Sequence, residues 1–292
     1  MNCSLRYLLL SLFLLQECIL SAQSAGLYFE NYSSDQGLSQ NSCYTIAQDA
    51  DGFMWFGTQD GLNRYDGKQF KVYLPQNAIG KRLPSNYISS LYYDPRKNLL
   101  WVGTIGGICI YDPKKDMLLK ITDLFPHAGI LASVPVKKIV SFKENEYWVV
   151  TFNKGLLLFN PQSRLVTEYF DDDANRAKVS SIVMHDNKVI AATLQQLFWL
   201  KPQQNTYKKD TLLNGHLFPE IKEMYSYDRK LWIGTLSGGC FYIDGSNNVQ
   251  PFPTSASGIG CFATDANNNL WIGTRGAGIV QYNPAGNRMV FA

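Results

Sequence analysis

Six segments of this chain share one four-residue core at a nearly constant period. They read Trp55-Phe56-Gly57-Thr58, Trp101-Val102-Gly103-Thr104, Trp148-Val149-Val150-Thr151, Ile190-Ala191-Ala192-Thr193, Trp232-Ile233-Gly234-Thr235 and Trp271-Ile272-Gly273-Thr274. The anchors lie 46, 47, 42, 42 and 39 residues apart. Threonine fills the fourth place in all six and tryptophan the first in five. Self-similarity at such a period means an array of like supersecondary units, each too small to bury its own apolar face.

The units share an anatomy. An alternating stretch such as 43–49 opens each one, and a polar turn (49–52, 265–269) follows. The tryptophan strand comes next, then a tight turn with glycine, as at Gly61 or Gly106-Gly107. A third strand ends in Tyr-Asp or Tyr/Phe-Asp/Asn-Pro, and a fourth, shorter one closes the unit, as at 69–73 and 164–169. Four strands joined by Gly, Asn, Asp and Pro turns, with no sustained helical periodicity, make the blade of a β-propeller. The expected fold is therefore all-β, a β-propeller of four-stranded blades. The blades run over roughly 38–73, 84–121, 134–170, 178–209, 219–252 and 258–292.

Strand alternation puts Trp and Gly of the core on one face and the second residue and Thr on the other. Neighbouring sheets pack about 10 Å apart. The indole fills that gap, and the glycine lets the next blade approach. Trp199 lies off this position and is expected to fill the space left where Ile190 replaces tryptophan. Residues 27–33 look like a fourth strand, yet the sixth unit has its own at 288–291. The expectation is that 27–33 is a closing outer strand, that the six visible repeats belong to a seven-bladed ring, and that the chain is the N-terminal part of a longer protein. A six-bladed ring with one segment unpaired is the competing reading.

Residues 1–25 read as a secretory signal: Arg6, an apolar run from Tyr7 to Leu15, and small residues around a cleavage point between Ala22 and Ala25. The run is far short of the roughly 20 residues that span a bilayer. Lipidation at Cys18 is the alternative, disfavoured by Gln16 and Glu17. The predicted compartment is the periplasm. The net charge of +3 is dispersed, which argues against a nucleic-acid partner for this segment. Cys43, Cys109, Cys240 and Cys261 match no zinc spacing; they read as small buried hydrophobes, with one or two disulfides as the alternative.

No catalytic constellation stands out. His127, His185 and His216 belong to no triad or metal motif, and no cofactor or metal is expected. Asp49, Asp94, Asp228 and Asp265 recur before the tryptophan strands, where carboxylates cap turns. The run 171–173 reads as a solvated loop.

At 35–41 (DQGLSQN), at 52–66 (GFMWFGTQDGLNRYD) and in the repeated Leu-Trp-Ile-Gly-Thr, the chain resembles the two-component regulator propeller repeat. Such repeats build the periplasmic sensor half of hybrid two-component systems. The resemblance covers 27–292. It implies a module that senses a ligand, commonly a glycan fragment, to control polysaccharide-utilisation genes. It also implies an inner-membrane-anchored parent whose histidine kinase lies in other parts. No kinase motif occurs here, so this segment is read as a non-enzyme. The implied partners are an oligosaccharide or a second propeller of the same receptor, and a homodimer formed through the intact receptor. A self-standing secreted binding scaffold and a propeller lyase or glycosidase are the rival readings.

In a propeller, the loops between second and third strands and those between blades open on one side of the ring. Here they carry Gln59, Asp60, Asn86, Asn153, Lys154, Gln195, Gln196, Ser237 and Arg275, which vary while the strands repeat. Variation on a repeated scaffold is where specificity is placed, and amides, carboxylate and cations suit hydroxyl-rich ligands. These nine are the candidate ligand-binding residues.

Overall fold

The computed structural model describes residues 29–77, 82–170, 178–203, 206–254, 256–285 and 288–291. The signal segment 1–25 and the acidic run 171–173 lie outside the described residues. Residues 29–31 end a separate N-terminal unit and are exposed, without helix or strand.

From Tyr32 onward the chain forms six antiparallel sheets of four strands, each in simple sequential order. Blade 1 comprises Cys43–Gln48, Met54–Thr58, Gly61–Tyr65 and Phe70–Tyr73. Blade 2 comprises Ile88–Asp94, Leu99–Thr104, Gly107–Asp112 and Met117–Lys120; blade 3, Val136–Lys143, Glu146–Thr151, Leu156–Asn160 and Leu165–Tyr169. Blade 4 comprises Ser181–His185, Lys188–Ala192, Leu197–Gln203 and Thr206–Thr211; blade 5, Ile221–Tyr227, Lys230–Thr235, Cys240–Ile243 and Val249–Phe252. Blade 6 comprises Ile259–Thr264, Leu270–Thr274, Ile279–Asn283 and Arg288–Phe291. The one α-helical turn among the described residues, Ile121–Leu124, follows blade 2.

The repeated core does what its chemistry demands. Trp55, Trp101, Trp148 and Trp232 are fully buried. Trp101 is stacked between Tyr147 of blade 3 and Phe125, with centroids 4.1 and 5.8 Å away. The glycine two residues on is where the next blade arrives. A Cβ on Gly57 would stand 2.7 Å from Ile88, one on Gly103 2.7 Å from Val136, and one on Gly234 2.6 Å from Ile259. Blade 4 reaches the same end with Ile190 against the Ile221 and Met224 cluster of blade 5. Trp199 sits opposite Ile190 on the neighbouring strand, with Lys188 and Lys201 amines 5.1 and 4.8 Å from its ring.

The threonine holds a turn. In every unit its hydroxyl donates to a carbonyl on the far side of the turn between second and third strands: Thr58 to Gly61, Thr104 to Gly107, Thr151 to Gly155, Thr193 to Gln196, Thr235 to Gly239 and Thr274 to Gly278. The same oxygen accepts a backbone N–H from within the turn, for example that of Gly106 at 3.0 Å. Three of the four recurrent aspartates cap turns as expected. Asp49 and Asp265 each accept two backbone N–H groups and the indole N–H of the following tryptophan, at 2.7 and 2.8 Å; Asp94 accepts from the Arg96 N–H. Asp228 instead takes a left-handed backbone, φ 50°, and caps nothing.

The blades pack 1 on 2 through 5 on 6, and among the described residues no comparable packing joins blade 6 to blade 1. Ile46 stands where Leu91 and Ile139 stand in blades 2 and 3, but 56% of its surface is exposed against 9% and 2% for those two. Trp271 is only half-buried, and a Cβ on Gly273 would meet just Cys261 of its own blade. Of the expected closing strand 27–33, Tyr32 and Ser33 belong to the propeller unit and carry no strand; the Tyr32 ring meets those of Tyr65 and Phe70 in blade 1. The cysteine expectation needs a correction too. Cys109 and Cys240 are buried, and burial pushes the Cys240 thiol up to about 12, but Cys43 and Cys261 are exposed. Cys43 occupies the bare edge position that Ile88 fills in blade 2. No disulfide joins any of the four.

Two outcomes follow for urea unfolding. Ile139→Ala should lose about 2–5 kcal/mol through the cavity it leaves, whereas Ile46→Ala should lose less than about 1 kcal/mol. Equal losses would mean that blade 1 is covered. Thr104→Val, which orphans the Gly107 carbonyl and the Gly106 N–H, should cost about 1–3 kcal/mol.

Candidate functional site

The six first strands line the axis of the propeller, and five of them begin with a register shift. In blade 1, Cys43 pairs with Thr58 and Thr45 with Gly57, leaving Tyr44 unpaired between them. The same bulge isolates Ser89, Lys137, Lys222 and Gly260 in blades 2, 3, 5 and 6. In blade 4, Ser180 takes this place just before Ser181, which pairs with Ala192. A bulged residue leaves the ladder and is re-aimed. All six of these residues line one central cavity of about 530 Å³, together with Phe152, Leu194 and Leu236 from the turns between second and third strands.

The next residue inward forms a second ring. Thr45, Ser90 and Ser181 each use a hydroxyl to tie a blade to the one that follows it, accepting the backbone N–H of Leu91, Ile139 and Met224 at 3.0, 2.9 and 3.2 Å, respectively. Lys138 of blade 3 and Glu223 of blade 5 occupy the same level and form an ion pair across blade 4. Ser181 donates to that carboxylate at 2.6 Å. The cavity thus narrows to a neutral polar waist.

The mouth above the waist is aromatic and cationic. Tyr44 and Tyr87 stack at 5.0 Å with an interplanar angle of 25°, and Tyr44 is half exposed. The Lys137 amine donates to the Val179 carbonyl at 2.9 Å and lies 5.2 Å from the Phe152 ring centroid. Desolvation, and secondarily the charge of Lys222, hold its pKa below the ordinary lysine value. Lys222 is exposed and has no partner among the described residues.

The candidates named from sequence sit on the same face, outside this mouth. Asn86 donates to the Asp60 carboxylate at 2.9 Å beside Gln59. Lys154 reaches outward to Glu168 at 4.0 Å, next to Asn153. Gln195 and Gln196 are brought together with Lys178, Leu217 and Glu220 in a second hollow of about 470 Å³. Ser237 lies in the bend of blade 5, and Arg275 donates its backbone N–H to the Gly258 carbonyl at 2.9 Å. None of the nine lines the central cavity. The ring that does was missed, although its signal is in the sequence: the residue after the first apolar position of each inner strand, 13 to 15 residues before the recurrent threonine.

Among the described residues, no group of acidic, histidine or cysteine side chains could hold a metal. The cavity holds no histidine; His185 is engaged with the Ser226 hydroxyl at 2.8 Å, and burial lowers its pKa.

Three stretches, 37–60, 82–106 and 255–276, match the two component regulator propeller family. The matched stretches hold the Trp-x-Gly-Thr cores of blades 1, 2 and 6. A 54-residue stretch is 46% identical to histidine kinase P4 of Formosa agariphila, covering 18% of this chain and 4% of that protein. The extracellular domain of a B. thetaiotaomicron protein described as a hybrid two-component system superposes with a TM-score of 0.70 at 20% identity, over 90% of this chain and 34% of that chain. A second such domain from the same organism gives 0.53 at 20% identity, over 86% and 41%. The chain therefore spans less than half of the length of these matched proteins. Virginiamycin B lyase from Staphylococcus aureus shares the fold at 14% identity with a TM-score of 0.61, over 86% and 84%. Fold alone does not carry chemistry from one to another. No helix among the described residues is long and apolar enough to cross a membrane.

The waist can be tested directly. Lys138→Met and Glu223→Met should each cost about 1 kcal/mol in this partly solvated pair, and the double variant should cost less than the two together. Strict additivity in urea unfolding would mean that the two side chains do not meet.

Proposed function

We propose that this chain is a two-component regulator propeller, the ligand-sensing module of an exported hybrid two-component receptor, and that it takes an oligosaccharide on the loop face of the ring. The observation that carries this is the pairing of three stretches similar to regulator propeller repeats with a mouth to which five blades contribute a bulged inner-strand residue and blade 4 contributes Ser180. A site assembled from many blades converts ligand contacts into a bias on blade and domain arrangement, which is how a propeller passes on occupancy. The second hollow, with Gln195, Gln196 and Lys178, offers a further polar contact on that face.

In this reading residues 1–25 direct export to the periplasm, the parent is anchored in the inner membrane, and its kinase turns occupancy into control of polysaccharide-utilisation genes. A second propeller of the receptor shares the ligand, and the receptor dimerises. A seventh blade between blades 6 and 1 accounts for both bare faces, covering Trp271 on one side and Ile46 on the other. This segment itself recognises rather than catalyses.

An immunoblot of fractionated native cells, with antiserum against residues 27–292, tests the reading. The expected result is a membrane-bound band several times the 33.0 kDa of this chain. A soluble band near that mass would remove the kinase connection.

A further inference from the structure

Building on the glycan-sensing reading, we infer that the ligand of the central mouth is an acidic saccharide, bearing uronate or sulfate groups, held by Lys137 and Lys222 against the Tyr44–Tyr87 platform.

The bulge positions are the argument's base. At these positions the backbone leaves the strand ladder and the side chain stands outside the apolar interblade seam, so seam packing demands no particular residue there. Ser89 and Ser180 turn back on the fold, donating to the Val136 carbonyl at 2.6 Å and the Thr193 carbonyl at 3.2 Å. Gly260 presents nothing. The remaining three are Tyr44, Lys137 and Lys222, two of them cationic and one aromatic, all lining one cavity.

Charge bookkeeping at the cavity is one-sided. Lys138 is neutralised at the waist by Glu223, so it adds no field at the mouth. Above it stand Lys137 and Lys222, with Glu220 as the one further carboxylate of the lining. Two amines kept near each other repel. Lys137 tolerates this because Phe152 and the Val179 carbonyl hold its ammonium, and an anion between the amines would relieve the repulsion. Lys222 carries no competing partner among the described residues.

The aromatic pair supplies the other half. A pyranose ring has one face rich in C–H groups, which rests on the electron-rich face of an aromatic ring. Tyr44 and Tyr87 lie nearly parallel, with Tyr44 half exposed, so the pair offers such a face beside the amines. A neutral sugar would use the platform and leave the Lys222 amine unanswered; a small anion would use the amines and leave the platform empty. An acidic saccharide uses both.

Calorimetric titration of the purified, folded chain with galacturonate, glucuronate and sulfated-galactose trisaccharides, each beside its neutral counterpart, tests this. At least one acidic member should bind about tenfold or more tightly than its counterpart, and the difference should shrink as salt rises from about 0.05 to about 0.5 M. Lys137→Gln and Lys222→Gln should each weaken the acidic sugar about tenfold, as expected for one lost charge-assisted hydrogen bond. Tyr44→Ala should weaken acidic and neutral sugars alike. Lys208→Gln with Lys209→Gln, on the outermost strand of blade 4, should change nothing. Equal binding of the neutral sugars, indifferent to both mouth lysines, would overturn the inference and leave glycan sensing standing. Sensitivity to Lys208 and Lys209 equal to that at the mouth would reduce the effect to unspecific attraction and overturn it too. No binding of any trisaccharide would sink both the inference and direct glycan recognition by this ring.

Discussion

An indole lying between two sheets holds them apart, and a glycine two residues along the same face lets them back together. This alternation of spacer and gap is what makes blade stack on blade here. At Gly57, Gly103 and Gly234 the incoming aliphatic side chain occupies the volume of the missing Cβ, so any substitution there would push a neighbouring sheet away. Each blade is a small sheet with little interior of its own, and its stability comes from these contacts with the blades on either side. Where such contact is absent, at Ile46 and around Trp271, apolar surface stays wet.

The same packing decides where polar chemistry can sit. Aliphatic residues such as Ile88, Val136 and Ile259 plug the interblade seam at the start of the inner strands, fully buried. The bulge immediately after them turns one residue toward the axis, and the hydroxyl-bearing position after that ties two blades by a side-chain hydrogen bond. Seam, mouth and waist are thus three consecutive residues of one strand, assigned to three different tasks by one local break in pairing.

Much of this was legible in the sequence, for a physical reason. Tryptophan, glycine and threonine recur because each answers a backbone demand that repeats in every blade: filling the gap, admitting the neighbour, closing the turn. The polar mouth was not legible in the same way. Alternation along one strand does not reveal a bulge, since a bulge exists only relative to a partner's register. The Lys138–Glu223 pair joins residues 85 apart in sequence across an intervening blade, and no local pattern announces it. The nine loop residues chosen for their variability lie on the loop face but outside the cavity, because in these short turns the residue nearest the axis is apolar, as at Phe152, Leu194 and Leu236. Cys43 was misread because its position is a buried one in the other blades, and only three-dimensional packing shows that nothing covers it here.

The bulge also bears on how such a domain can change over time. A residue in the seam or under an indole cannot be exchanged without moving a whole blade, so most of the inner strand is frozen by its neighbours. The bulged position is held more loosely: outside the apolar seam, Ser89 and Lys137 engage their surroundings through side-chain hydrogen bonds to backbone carbonyls. Five such positions around one axis can be rewritten one at a time at less penalty to folding than a seam residue carries, each altering what the pore admits. Stability and selectivity are inherited on separate residues, and a lineage can retune the second while leaving the first untouched.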